Sequence, residues 1–116
     1  MTRIELPWPC KELMKNAKTN RWSESRAVKQ SRATAGWAAI EAGAKWLNVP
    51  KAELPMTMTF HAPDKRVRDL HNMVYAMRAA IDGLQDALGL NDSYFRITPV
   101  WGDVVKGGRV VVELNA

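Results

Sequence analysis

The stretch Asp64-Lys65-Arg66-Val67-Arg68-Asp69-Leu70-His71-Asn72 sets three cations directly beside an aspartate, a histidine and an asparagine, where a helix is predicted to begin. A second acidic spot, Asn91-Asp92, follows about twenty residues later. Cations hold phosphates and carboxylates hold divalent metals, so the combination points to phosphodiester chemistry. Carboxylates without the cations would repel a nucleic acid, and cations without the carboxylates would bind it without cutting it.

The elements that must position these residues follow from the hydrophobic pattern. Ile4, Leu6 and Trp8 alternate with Arg3, Glu5 and Pro7, a short strand stopped by two prolines. Residues 10–22 read as a basic loop. Ser23 or Ser25 offers an N-cap for a helix running to about Leu47, with Ala33, Trp37, Ile40, Ala44 and Leu47 as its buried stripe. Arg26, Lys29 and Arg32 occupy the first two turns, away from that stripe, and Asn48 and Pro50 end the helix. Met56, Met58, Phe60 and Ala62 alternate with polar residues in a half-buried strand that stops at Pro63. A second helix covers roughly 70–88, with Met73, Met77, Ile81, Leu84 and Leu88 inward and Gly89 as its stop. Phe95–Val105 and Arg109–Leu114 are β-rich, and Lys106-Gly107-Gly108 between them predicts a tight hairpin. The order β-α-β-α-β-β makes this an α+β fold, two helices packed on a small mixed sheet.

The chain's 116 residues suit a single domain, 1–116, with one core. Its net charge of +5 is uneven: residues 1–51 carry ten Lys and Arg against four acids, residues 52–116 seven against eight. A cationic half joined to an acid-bearing half suits a protein that grips a polyanion and presents a metal site to it. Cys10 is the single cysteine, which excludes an internal disulfide or a cysteine metal site and leaves Cys10 as a small filler residue. The N-terminus has no apolar signal-peptide core and no apolar run reaches membrane-spanning length, so a cytoplasmic protein is expected.

Each candidate has a structural role beside the chemical one. Asp69 is placed to cap the second helix, and a capping carboxylate keeps an oxygen that can face a metal. His71, Tyr75, Arg78 and Asp82 fall on one helical face, either as a solvated stripe with an Arg78–Asp82 ion pair or as a track along which Arg78 reaches a bound phosphate. Asn91-Asp92 is either turn chemistry or the second half of the site. His61 reads as a surface residue on the polar side of its strand. Trp8, Trp37 and Trp46 read as core or core edge. Trp22, beside Arg21, either packs or stacks on an unpaired base.

The chain resembles the RusA-type Holliday-junction resolvases, which are common in prophages. Leu6-Pro7-Trp8-Pro9 is similar to that family's opening, with Cys10 in place of a further proline. Residues 63–72 resemble its PD-(basic)-R-D-x-D-N signature. Arg78-Ala79-Ala80-Ile81-Asp82-Gly83-Leu84 resembles the segment that begins with its functional lysine. Asn91-Asp92 resembles its acidic pair, and Lys106-Gly107-Gly108-Arg109 its terminal hairpin. These anchors span residues 4–114.

The resemblance implies a homodimeric, Mg²⁺-dependent endodeoxyribonuclease of DNA recombination and repair, without a small-molecule cofactor. It would nick two opposing strands of a four-way junction symmetrically. Asp69 and Asp92 would be the metal-binding carboxylates. His71 stands at the family's second aspartate and Asn91 at the first member of its acidic pair. Arg78 takes the lysine position if three residues are inserted after Asn72, and Tyr75 takes it otherwise. Imidazole in place of carboxylate suits Mn²⁺ better than Mg²⁺. Asn72, Asn91 and Tyr75 would support the site, and Lys65, Arg66, Arg68, Arg26, Lys29 and Arg32 would position the phosphate backbone of branched DNA. The alternative is a branched-DNA binder that does not cut, and a more distant one is a partner-binding protein without a nucleic-acid role.

Overall fold

The computed structural model describes residues 2–14, 18–43, 53–89 and 95–114. The period-two pattern after Glu53 gives strand β2, Leu54–His61, with Leu54, Met56, Met58 and Phe60 buried on one face. Strands β1 (Thr2–Pro7), β3 (Phe95–Trp101) and β4 (Arg109–Leu114) complete a mixed sheet in the order β1-β4-β2-β3. β4 is antiparallel to both neighbours, whereas β3 runs parallel to β2. Pro55 pairs with β3 beyond the end of the β4 ladder, and Pro99 lies on the edge strand, so neither proline costs the sheet two neighbours.

The predicted hairpin between the last two strands does not form, because β2 lies between them. After β3 the chain keeps following β2: Gly102 N–H donates to Phe60 C=O (2.9 Å) and Val105 N–H to Ala62 C=O (3.0 Å). The Gly107-Gly108 pair, at φ 83° and 70°, then turns it round the end of β2 and into β4. The glycines supplied the reversal as expected. Passing over an intervening strand needs roughly 10 Å, twice the interstrand spacing, and the longer connection after Trp101 supplies that reach.

Helix α1, Arg21–Glu41, starts earlier than Ser23 or Ser25 would have it: Asn20 is the N-cap, its Oδ1 accepting Ser23 N–H at 2.8 Å. Its buried residues are Ala35 and Ala39, whereas Trp37 and Ile40 are 67% and 44% exposed and Ala33 is also exposed, so the expected apolar stripe is the outer face. Ala44, Trp46 and Leu47 lie outside the described residues. The reason is close approach. α1 packs chiefly on α3, and a Cβ on Gly83 would strike the Arg32 carbonyl. Only a face of alanine and glycine permits that distance, and hydrophobic size is a poor guide to it.

The predicted helix 70–88 is two segments, α2 (Leu70–Ala76) and α3 (Arg78–Leu88), meeting at Met77 (φ −93°, ψ 5°). Ala76, Met77 and Arg78 are all good helix formers, so local propensity does not explain the break. The inward residues match expectation: Met73, Met77, Ile81 and Leu84 are buried, and Leu88 packs at the core's edge before Gly89 stops the helix at φ 68°. The α2–α3 pair is the crossover that parallel β2 and β3 require. The fold is α+β, and among the described residues no helix is long and apolar enough to cross a membrane.

Candidate metal and nucleic-acid site

The segment from β2 to α2 is organised by Asp64. Its Oδ1 accepts Arg66 N–H at 3.0 Å, closing an Asx turn, and the Arg68 guanidinium at 2.8 Å. Arg68 also donates to the carbonyls of Asp64 (3.2 Å) and Arg66 (3.1 Å). The Arg66 N–H bond, and then the Arg68 guanidinium, hold the exposed Asp64 carboxyl below its ordinary range. Arg68 lies over the Trp8 ring and its side chain is only 15% exposed. It therefore spends its donors inside the loop, whereas Lys65 is exposed and the exposed Arg66 guanidinium makes only a long contact with Asp64, at 3.4 Å.

Trp8 joins this loop to two other segments. Its ring meets Phe60 edge-on at 6.3 Å. Gly108 packs so tightly on it that an added Cβ would lie 2.9 Å from the Trp8 Cβ and 3.1 Å from the Pro63 Cδ. The Leu6–Pro9 segment, the 63–69 loop and the 106–108 turn thus meet at one end of β2. His61, at that end, is half-buried rather than fully at the surface, and its Nδ1 pairs with the Asp103 carbonyl at 2.9 Å.

That framework delivers Asp69 to the start of α2 as its N-cap, with Oδ1 accepting His71 N–H at 2.9 Å. The His71 ring is 97% exposed, with Nδ1 3.7 Å from Asp69 Oδ1. One carboxylate and one imidazole therefore stand together on a solvent-facing corner, with Asn72 half-buried beside them. An oxygen and a nitrogen donor at this separation are compatible with a divalent metal of borderline character. Asn91 and Asp92 lie outside the described residues. Among the described residues, no three His, Cys, Asp or Glu side chains gather into a metal-binding group.

Tyr75, Arg78 and Asp82 stay on one face despite the break at Met77, lining a recess of about 370 Å³ with Glu12, Glu24 and Val28. Arg78 and Asp82 form no ion pair among the described contacts. Arg78 lies nine positions after Asp69, roughly 13 Å along a helical path, so the two do not touch and a bridging ligand would have to span them. Arg26 and Lys29 are exposed on α1. Arg32 instead ties α1 to α3 through a two-pronged pair with Asp86, at 2.6 and 2.8 Å. Cys10 is exposed rather than filling a gap, and partial burial together with Glu12 pushes its thiol up, away from reactive thiolate.

The sequence reading missed Asp64 and Asp86 as partners of arginines, and placed Trp37 inside. The Pro63-Asp64 pair, a turn-opening combination, was the available signal for the first. Nothing local marks Asp86 or Trp37.

No family model matches the chain. A protein of Xylella fastidiosa (strain Temecula1), described as an uncharacterized protein, is 35% identical over 117 residues, which cover 99% of this chain and 76% of that protein.

Proposed function

We propose that the chain, which belongs to the family of that Xylella fastidiosa protein, is a cytoplasmic, homodimeric, divalent-metal-dependent endodeoxyribonuclease of the RusA type, a reading that rests on the motif residues 63–72, Arg78 and Asn91-Asp92. Its substrate is four-way junction DNA, cut by paired symmetric nicks. The observation that carries this reading is the Asp69–His71 corner, a carboxylate and an imidazole 3.7 Å apart at the N-cap of α2 beside exposed Lys65 and Arg66.

Asp69, Asp92 and His71 are the residues that would hold Mg²⁺ or Mn²⁺, whose contribution when bound is Lewis-acid polarisation of the scissile phosphate. Lys65 and Arg66 hold the phosphate backbone beside that corner, and Arg26 and Lys29 hold it further away, adding affinity without sequence readout. Arg68 and Arg32 act differently: their ion pairs fix the loop and the α1–α3 crossing. Arg78 offsets charge developing on the scissile phosphate, its long side chain reaching toward the Asp69 corner along the shared helical face. Two copies related by a two-fold axis match a substrate of the same symmetry.

Nicking of a synthetic mobile four-way junction, in Mg²⁺ and separately in Mn²⁺, tests the reading, with Asp92→Asn as the control. Symmetric nicks that vanish in the control are the expected result. Tight junction binding without nicks in either metal would replace the nuclease with a non-cutting binder, in line with the imidazole at position 71. Absence of retention on DNA at moderate salt would remove both.

A further inference from the structure

Six residues of α1 share its outer face at steps of four and three: Trp22, Arg26, Lys29, Ala33, Trp37 and Ile40, all exposed. Trp22 is 81% exposed and Trp37 67%. Two tryptophans held in water on one helix are a costly arrangement that a folded core would ordinarily remove. They are roughly 22 Å apart along the axis, fifteen residues at the helical rise, with two cations between them. Beside Trp37 lies an open depression of about 420 Å³, lined by Gly36, Gly83, Ala87 and Lys29 and by the mutually paired Arg32 and Asp86. Glu24, the acid of the first turn, lies round the helix at the recess that holds Arg78, and Asp86 is matched by Arg32, so Arg26 and Lys29 leave the outer face cationic.

We propose that this face of α1 is a stacking platform for unpaired bases, with Trp22 and Trp37 taking base faces and Arg26 and Lys29 the phosphates between them. The inference rests on the reading that the substrate is branched DNA, and names the part of that substrate recognised: the unstacked nucleotides at the branch or a single strand leaving it. Aromatic faces interleaved with cations bind single strands without sequence preference, because every base has a π-face and every linkage a charge. A second copy of the chain fits the same face less well. A second copy crossing this face close to Arg26 and Lys29 would set the cations of both copies against one another, a repulsion that a polyanion reverses. The glycine-lined depression gives a base on Trp37 an apolar surface for its second side.

The test is metal-free fluorescence anisotropy with three labelled probes, a dT homopolymer, a four-way junction and a blunt linear duplex. The proteins are wild type, Trp22→Ala, Trp37→Ala and the two Trp→Phe counterparts, each checked for fold by circular dichroism and for size by gel filtration. Each alanine variant should lose at least about five-fold in affinity for the single strand and the junction, leave duplex binding unchanged, and be restored by phenylalanine. Wild-type affinity of the alanine variants on all probes, an equal loss on all three, or conversion of a dimer to a monomer would each overturn the platform. Junction nicking with Trp-independent binding overturns the platform and leaves the nuclease standing. Trp-dependent binding without nicking in either metal does the reverse.

Discussion

The Arg68 guanidinium sits 5.6 Å from the centre of the Trp8 ring while its Nη2 holds Asp64 at 2.8 Å. One side chain thus locks the N-terminal Leu6–Pro9 segment to the loop that delivers Asp69. The arginine needs both its planar fork and its stacking face to do this, and a lysine has neither.

Arg68→Lys and Arg68→Ala should therefore both lower the melting temperature, with loss of the Trp8 contact accounting for about 1 kcal/mol. Chemical denaturation measures the loss. Equal stability of wild type and Arg68→Lys would show that charge without geometry is sufficient.

Asp69 combines a cap with a proposed metal oxygen, and two substitutions separate them. Asp69→Ala removes the acceptor of His71 N–H and should cost about 1 kcal/mol. Asp69→Asn keeps a capping oxygen and should melt like wild type, yet give no junction nicks. Nicking by Asp69→Asn at the wild-type rate would take Asp69 out of the site. His71→Asp, at a fully exposed ring, should leave stability alone and move the metal preference toward Mg²⁺.

Two glycines at the α1–α3 crossing should respond in opposite ways. A Cβ on Gly83 strikes the Arg32 carbonyl, so Gly83→Ala should destabilise by about 1–3 kcal/mol. A Cβ on Gly36 meets only the Gly83 carbonyl at 3.5 Å, an ordinary contact. Gly36→Ala should be neutral or stabilise by up to about 1 kcal/mol through helix propensity. Urea unfolding of the pair checks both signs.

The hydrogen bond from Arg32, with the attraction of its charge, holds the Asp86 carboxyl below its ordinary 3.8. The folded state therefore binds this proton more weakly than the unfolded chain does. The pair's contribution is fully present above pH 3.8 and fades as the pH falls below it toward the lowered folded value. Asp86→Asn should flatten the acid limb of a stability–pH profile and leave its slope near neutrality unchanged. An unaltered acid limb would count against the pair.

DNA affinity should fall with salt less steeply than the count of basic residues suggests. If Arg68 and Arg32 stay in their short ion pairs, Lys65, Arg66, Arg26 and Lys29 would be the proposed phosphate contacts, giving a log–log slope on the order of −4 for each subunit engaged. Slopes measured for Arg26→Ala and Lys29→Ala should each be about one unit shallower, while Arg32→Ala should change stability first.

Much of this was local and therefore readable in the chain. Strand β2 was visible because burial on one face of a strand imposes a two-residue period on side-chain type. The inward face of α2 and α3 was visible because Met73, Met77, Ile81 and Leu84 are large, apolar and at helical spacing. Asp69 as a cap and Gly89 as a stop follow from side-chain and backbone chemistry that acts within a few residues. The proximity of His71 to Asp69 needs no more than two residues of chain.

What required the folded molecule was everything set by distant partners. The outward turn of Trp37 depends on how closely α1 approaches α3, which Gly83 decides from another helix. The pairing of Arg32 with Asp86 joins residues 54 positions apart. The insertion of β2 between β3 and β4 is a choice of neighbour, and turn glycines constrain only the reversal. Amino-acid type dictates local geometry and the sign of burial, because those energies act over one or two turns. Which face is covered, which cation is neutralised and which tryptophans stay in water are settled by the packing of whole elements, where close approach outweighs side-chain size.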